Sequence, residues 1–335
     1  MLTTIRSSFL LTMLAVLIAC DRNASETVTV YVSADDHIAR QVFDRFTQHS
    51  GIEVRFVADS EVSKTTGLSL RLRRERTRPL ADVFWSSEII QTILLANDGI
   101  LAPHQSQVAS AWPSGHRDGE HRWFAFSPRA RVLAYDPRVT PADALPLTWW
   151  DVRDAAMADP RFGTTGTHLC AMAAWLEDEG DPGRLAEFLD SVAGPLRSGG
   201  NAATVDAVIT GEHRFGMTDT DDVHAAMKRG RSVAMHIPRH GPGDGGGALL
   251  IPNTVGIVAG CAHPAEAATF VDFMLSDDVA RMLANSASHN IPIQPHIASD
   301  FPELIIDDPL KVDWNRAAML RDSVLLQVTS GAETN

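Results

Sequence analysis

The chain has 335 residues, 44% of them hydrophobic, and a formal net charge of −13 at pH 7. That length favours two lobes over one core. So acidic a balance argues against a nucleic acid or an anionic lipid surface as the partner.

The first twenty residues form a secretory signal. Arg6 is the only charge before Cys20, and an apolar run from Phe9 to Ala19 follows it. A positive start, a short apolar stretch and a small residue before the cut mark a cleaved leader rather than a membrane span. Leu17-Ile18-Ala19-Cys20 also resembles the bacterial lipobox. That resemblance implies that Cys20 becomes an acylated N-terminus and that the mature chain sits outside the cytoplasmic membrane on a lipid tether. Asp21, the next residue, implies retention at the inner membrane in a host with two membranes. The expected organisation is a lipoprotein signal peptide at 1–19, a tether at 20–27, one lobe from 28–127 plus 254–300, and a second from 128–253 plus 301–335.

Strand and helix signals then alternate. Residues 28–32 read as a strand, and 36–49 as a helix with Ile38, Val42, Phe43 and Phe46 on one face. Gly51 is its expected stop. A strand at 52–57, a helix at 64–76, a strand at 82–85 and a helix at 89–97 follow. Residues 131–135 form another strand. Helices are expected at 168–179, 185–192 and 203–210, a strand at 215–218 and a helix at 223–229. Residues 249–258 are mostly extended, and 264–275 and 277–284 are helical. This alternation predicts α/β layers with largely parallel strands. Cys170 and Cys261 are read as free thiols, with no zinc-type spacing.

The chemistry gathers where strands give way to helices. Ser33-Ala34-Asp35-Asp36-His37, Ser86-Ser87-Glu88, Gly163-Thr164-Thr165-Gly166-Thr167-His168 and Asp219-Thr220-Asp221-Asp222 all stand at such junctions. Helix capping explains any one of them. Four together point to a ligand cleft at the carboxyl ends of the strands. Residues 163–167 carry hydroxyls and glycines and no acid, so they suit a phosphate-like or carbonate-like anion, with Gly199-Gly200-Asn201 adding an amide donor. It is not a Walker loop. Asp219, Asp221 and Asp222 form the opposite kind of site, an oxygen-rich cluster suited to a hard cation. It is not an EF-hand, because His224 and Gly230 stand where Gly and Glu are needed. His224 is either a further ligand or a helix-surface histidine.

Several stretches, taken in order, resemble the bacterial ABC-transporter solute-binding proteins, in particular relatives of the ferric-iron-binding protein. They are Val30-Tyr31-Val32-Ser33, residues 46–54, Ala81-Asp82-Val83-Phe84-Trp85-Ser86, residues 129–136, Gly211-Glu212 and residues 265–275. The resemblance implies a two-lobed type 2 periplasmic-binding-protein fold, each lobe a mostly parallel sheet flanked by helices, closing on a solute between them. It implies a binding role without catalysis: a monomer that hands its solute to ABC permease and ATPase subunits. It places an anion, carbonate or phosphate, at Thr165, Gly166, Thr167 and Asn201. It places iron or another metal at Asp221 and Asp222, where the family carries a tyrosine pair, with Asp219, Glu88 and Asp36 as further candidates. The family's metal glutamate falls on Ser87. Two other readings stay open. One is a phosphonate or amine-bearing zwitterion as solute. The other is a haloacid-dehalogenase-type phosphatase, whose Asp-x-Asp-x-Thr/Val motif Asp219 to Val223 resembles.

Overall fold

The computed structural model describes residues 26–59, 65–110, 112–192 and 199–332. The leader, Cys20 and most of the tether therefore lie outside the described residues. The chain opens with strand β1 (Thr27–Val32), helix α1 (Asp36–Ser50) and strand β2 (Glu53–Ala58). Helix α1 buries Ile38, Ala39, Val42, Phe43 and Phe46 on one face, and Gly51 ends it in the left-handed region, donating its N–H to Thr47 O. Next come α2 (Thr66–Arg74), β3 (Val83–Ser86), α3 (Ile90–Asn97) and β4 (Leu101–Ala102). A long strand, β5 (Phe124–Tyr135), then leaves this first lobe.

The second lobe contains β6 (Ala155–Ala156), α4 (Gly163–Asp178), α5 (Arg184–Ser191), α6 (Gly200–Ile209), β7 (Phe215–Asp219), α7 (Thr220–Lys228) and β8 (Ala234–His236). Strand β9 (Leu250–Val258) returns to the first lobe, followed by α8 (Pro264–Met274), α9 (Asp277–Asn285) and α10 (Pro295–Ala298). The tail forms α11 (Trp314–Met319) and α12 (Arg321–Ala332). Helix α11 packs on both α3 and α4, so the tail touches both lobes.

One sheet order, β2-β1-β3-β9-β5-β7-β6, runs through both lobes. The parallel pairs are β1 with β2, β1 with β3, and β6 with β7. Every pair that involves β5 or β9 is antiparallel, because these strands carry the chain out and back. Strand β5 begins earlier than the expected 131–135. Its first half contains Ser127-Pro128, which interrupts the strand pattern in the sequence. The structure absorbs that pair in a register shift between Phe126 and Arg129. Ser127 there has φ +42°, and Asn253 Nδ2 donates to its carbonyl at 2.8 Å. The shift lies just before β5 passes from pairing with β9 to pairing with β7.

Helix α4 also begins earlier than expected, at Gly163 rather than 168. Residues 163–167 are thus its first turns and not an open loop. Cys170 and Cys261 are both free, Cys170 buried and Cys261 half-buried. No helix among the described residues is long and apolar enough to cross a membrane.

Candidate functional site

The ends of β1, β3 and β7 meet the β5–β9 crossover around a small cleft. Asp35, Ser87 and Trp85 come from the first lobe, Asp221 from the second, and Arg129 and Asn253 from the crossover strands. Strand β7 ends in extended geometry at Asp219, and α7 starts at the next residue. This abrupt junction sets Asp219, Asp221 and Asp222 together, with one oxygen of each within 4.8 Å of the others. It is the only group of three or more potential metal ligands among the described residues.

The three acids differ in state. Asp219 is fully buried, and burial alone would raise its pKa. Arg131 and Arg129 outweigh that and hold it below the ordinary carboxylate value. Arg131 Nη1 donates to Asp219 Oδ1 at 2.9 Å, and Arg129 Nε to Oδ2 at 3.2 Å. Asp219 does not cap α7 with its side chain. Both its oxygens are engaged, which leaves it poorly placed as the nucleophile of a phosphatase. Burial pushes the Asp221 pKa well up; Arg129 opposes this, and Asp222, Asp219 and Asp35 add to it. Asp222 accepts from Thr218 Oγ1 at 3.0 Å. Asp35, Asp219, Asp221 and Asp222 together face two arginines, Arg129 and Arg131, so acid outnumbers base around the cleft.

The expected anion cradle is filled by the protein itself. The Arg131 guanidinium, fully buried, donates to Thr165 Oγ1 at 2.9 Å, Asn201 Oδ1 at 3.1 Å and Thr164 Oγ1 at 3.3 Å. Thr165 and Asn201 thus turn acceptor oxygens inward, the polarity opposite to that expected for an anion site. Gly166 has a packing reason: a Cβ there would collide with Pro160 O. Its N–H and that of Thr167 lie beyond the free donors of the first turn. Thr167 donates across the lobes to Glu88 Oε2 at 2.8 Å.

Glu88 is corrected too. It is buried away from the acid cluster and accepts from Ile90 N at 2.6 Å and Gln91 N at 3.0 Å, securing the start of α3. Burial raises its pKa against the pull of these bonds and of Thr167. Asp36 is exposed and pairs with Arg40 one turn on; its neighbour Asp35 is the acid that lines the cleft.

Sequence reasoning named Ser33 and Ser87 but missed Thr65, which joins them in a hydroxyl cluster, and it missed a second group altogether. Ser33 Oγ accepts from Ser87 N at 2.9 Å and from Thr65 Oγ1 at 3.0 Å. The second group is a buried chain behind Arg131. Arg131 Nε donates to His168 Nδ1 at 3.4 Å, His168 Nε2 lies 3.1 Å from His240 Nε2, and His240 Nδ1 lies 2.7 Å from Gly247 O. Arginine only donates and a carbonyl only accepts. The chain is therefore satisfied by one arrangement: His168 protonated on Nε2, His240 on Nδ1, both neutral.

That pair makes the fold acid-sensitive. Burial drives the His240 pKa down to about 4, the Gly247 bond opposing it only in part. The unfolded chain titrates near the ordinary histidine value of about 6.5. The stabilisation is then complete above about 6.5 and is lost as pH falls through about 4, roughly 3 kcal/mol in all. Urea unfolding across that window should show this slope, and His240→Asn should reduce it, leaving the part due to buried His168. A slope unchanged in the variant would rule out the neutral pair.

A family model described as bacterial extracellular solute-binding protein matches residues 33–281. The chain belongs to that family. Among its relatives, this solute-binding protein is 24% identical over 317 residues to the major ferric iron-binding protein of Neisseria meningitidis serogroup A, covering 88% of this chain and 89% of that one. Its fold superposes on iron-bound HitA from Pseudomonas aeruginosa with a TM-score of 0.75 at 23% identity, over 90% of this chain and 99% of the other. The ferric binding protein from Campylobacter jejuni gives a TM-score of 0.78 at 18% identity, over 91% and 99%. The likeness establishes the type 2 periplasmic-binding-protein fold for this solute-binding protein.

Proposed function

We propose that the protein captures a metal ion, iron as in its named relatives, in the interlobe cleft and delivers it to an ABC permease with its ATPase subunits. The observation that carries this reading is the cluster of Asp219, Asp221 and Asp222 at the cleft, whose oxygens lie within 4.8 Å of one another. Asp221 and Asp222 are the ligands; Asp219, held by two arginines, fixes their backbone junction. Carboxylate oxygen suits a hard cation. Carbonate or phosphate accompanies the metal, taken up at Arg129 beside Asp221, because Thr165 and Asn201 are committed to Arg131. Calorimetry with ferric iron, in carbonate and in phosphate, tests the reading. Binding of one ion per chain is expected, and no binding in either buffer would defeat it.

The lobes, 28–127 plus 254–300 and 128–253 plus 301–335, close on the ion as a hinge, bending where β5 shifts register. The protein acts as a monomer, tethered through acylated Cys20. Cys20→Ser should move it from the membrane to the soluble fraction; a variant that stays with the membrane would exclude the tether.

One observation favours a second solute. Both tyrosines of the mature chain are engaged elsewhere or remote in the strands: Tyr31 OH donates to Glu75 Oε2 at 2.9 Å, and Tyr135 ends β5. With no phenolate at the cleft, Asp221 facing Arg129 also suits an amine-bearing phosphonate. The same calorimetry with 2-aminoethylphosphonate separates the two.

A further inference from the structure

Buried hydrogen-bonding capacity collects on the first-lobe side of the cleft. Ser87, Arg129, Ser288 and Asn290 all line it, and each is at least nine-tenths buried. Ser33 Oγ accepts from Ser87 N and from Thr65 Oγ1, so its own proton goes to Ser87 Oγ at 3.3 Å. Ser87 then has a hydroxyl proton to give, and only Thr65 Oγ1, at 3.5 Å, competes for it. Arg129 commits Nε to Asp219 and Asp221, at 3.2 and 3.4 Å, while its Nη1 and Nη2 have no partner among the described residues. Ser288 and Asn290 donate their backbone N–H groups to Ser286 Oγ and Leu283 O. Their side chains have no partner among the described residues. Buried polar groups in this state call for a partner from outside the chain.

The geometry points to Ser87, Arg129, Ser288 and Asn290 as an oxyanion subsite on the first-lobe wall, built for a phosphate or carboxylate group. This rests on the proposed metal-capture reading and deepens it. The anion is held by the first lobe and the crossover strand, the metal by Asp221 and Asp222 of the second lobe. The Nη groups of an arginine form a planar fork that matches two oxygens of such an anion. Ser87, Ser288 and Asn290 add neutral donors around it. Ile38 and Leu283 line the same cleft, and apolar surroundings strengthen each of these bonds. A metal ion between anion and acids offsets the repulsion that Asp35 and Asp221 exert on the anion. Anion and metal therefore bind better together than apart, and the coupling is reciprocal.

Ferric iron with inorganic phosphate, and with oxalate, is the probe. Calorimetry on the full-length protein reads the iron affinity with and without each anion, and the ratio of the two affinities is the coupling. In the wild type a ratio on the order of a hundred is expected for at least one of the anions. The anion with the larger ratio tells a phosphate-type group from a carboxylate-type one. Ser87→Ala and Asn290→Ala should each lower that ratio roughly tenfold, and the double variant should bring it close to one. A wild-type ratio of one for both anions, or a ratio unchanged in the double variant, overturns the subsite and leaves metal capture standing. A wild type that binds no ferric iron in any buffer defeats metal capture. The subsite is then read from 2-aminoethylphosphonate alone: binding that weakens in the double variant supports it, and binding that is absent or unaffected overturns it too.

Discussion

Asp221→Asn combined with Asp222→Asn is expected to abolish metal capture. These residues supply two of the three carboxylates of the cluster. Asp219 cannot replace them, because Arg131 and Arg129 hold it as an internal ion pair. Each lost charge-assisted contact is worth roughly 1.5–3 kcal/mol, so the pair should cost on the order of a hundredfold or more in affinity. The fold should tolerate the change. Asn keeps the shape, and it relieves the repulsion that, with burial, pushes the Asp221 pKa up. The variant should therefore be at least as stable as the wild type while binding poorly. Calorimetry with ferric iron checks the first half and urea unfolding the second. Unchanged affinity would show that the acids are a solvated helix end and that the ion lies elsewhere.

Much of the fold was legible because its core follows simple periods. The α1 face of Ile38, Val42, Phe43 and Phe46 is buried as its spacing requires, and β7 and α7 lie within a few residues of their expected bounds. The site was legible only in part. Asp219, Asp221 and Asp222 are adjacent in sequence, so local reasoning found them. The polar interior of the second lobe was not legible, because its order is set by Arg131, which the sequence shows only as the first residue of an apolar strand. Buried Thr164, Thr165 and Thr167 carry no apolar period, so the start of α4 read as a loop. Their hydroxyls looked like ligand donors when they are partners of an internal cation and of Glu88. Arg129 and Arg131, two apart on one strand, point to the same face. That spacing, beside an aspartate-rich junction, was the available signal for a buried ion network.

Arg131 should accordingly be among the least replaceable residues of the chain. Its guanidinium is fully buried, and its donors reach His168, Thr164, Thr165, Asn201, Asp219 and the Met217 carbonyl. Arg131→Leu would leave Arg129 as the one cation on Asp219 and would strip Thr165 Oγ1 and His168 Nδ1 of their donor. Removing one partner of a buried ion pair typically costs about 3–5 kcal/mol. We expect a loss of that size in urea unfolding, seen as a shift of midpoint with little change in slope. Arg131→Lys should recover only a minor part, since a compact ammonium cannot span acceptors fixed by a planar fork. The measurement also decides the polarity of the cradle. If Arg131→Leu costs less than about 1 kcal/mol, within the range of an ordinary hydrogen bond, then Thr165 and Asn201 do not depend on the arginine. In that case they stand free to receive an anion at the start of α4.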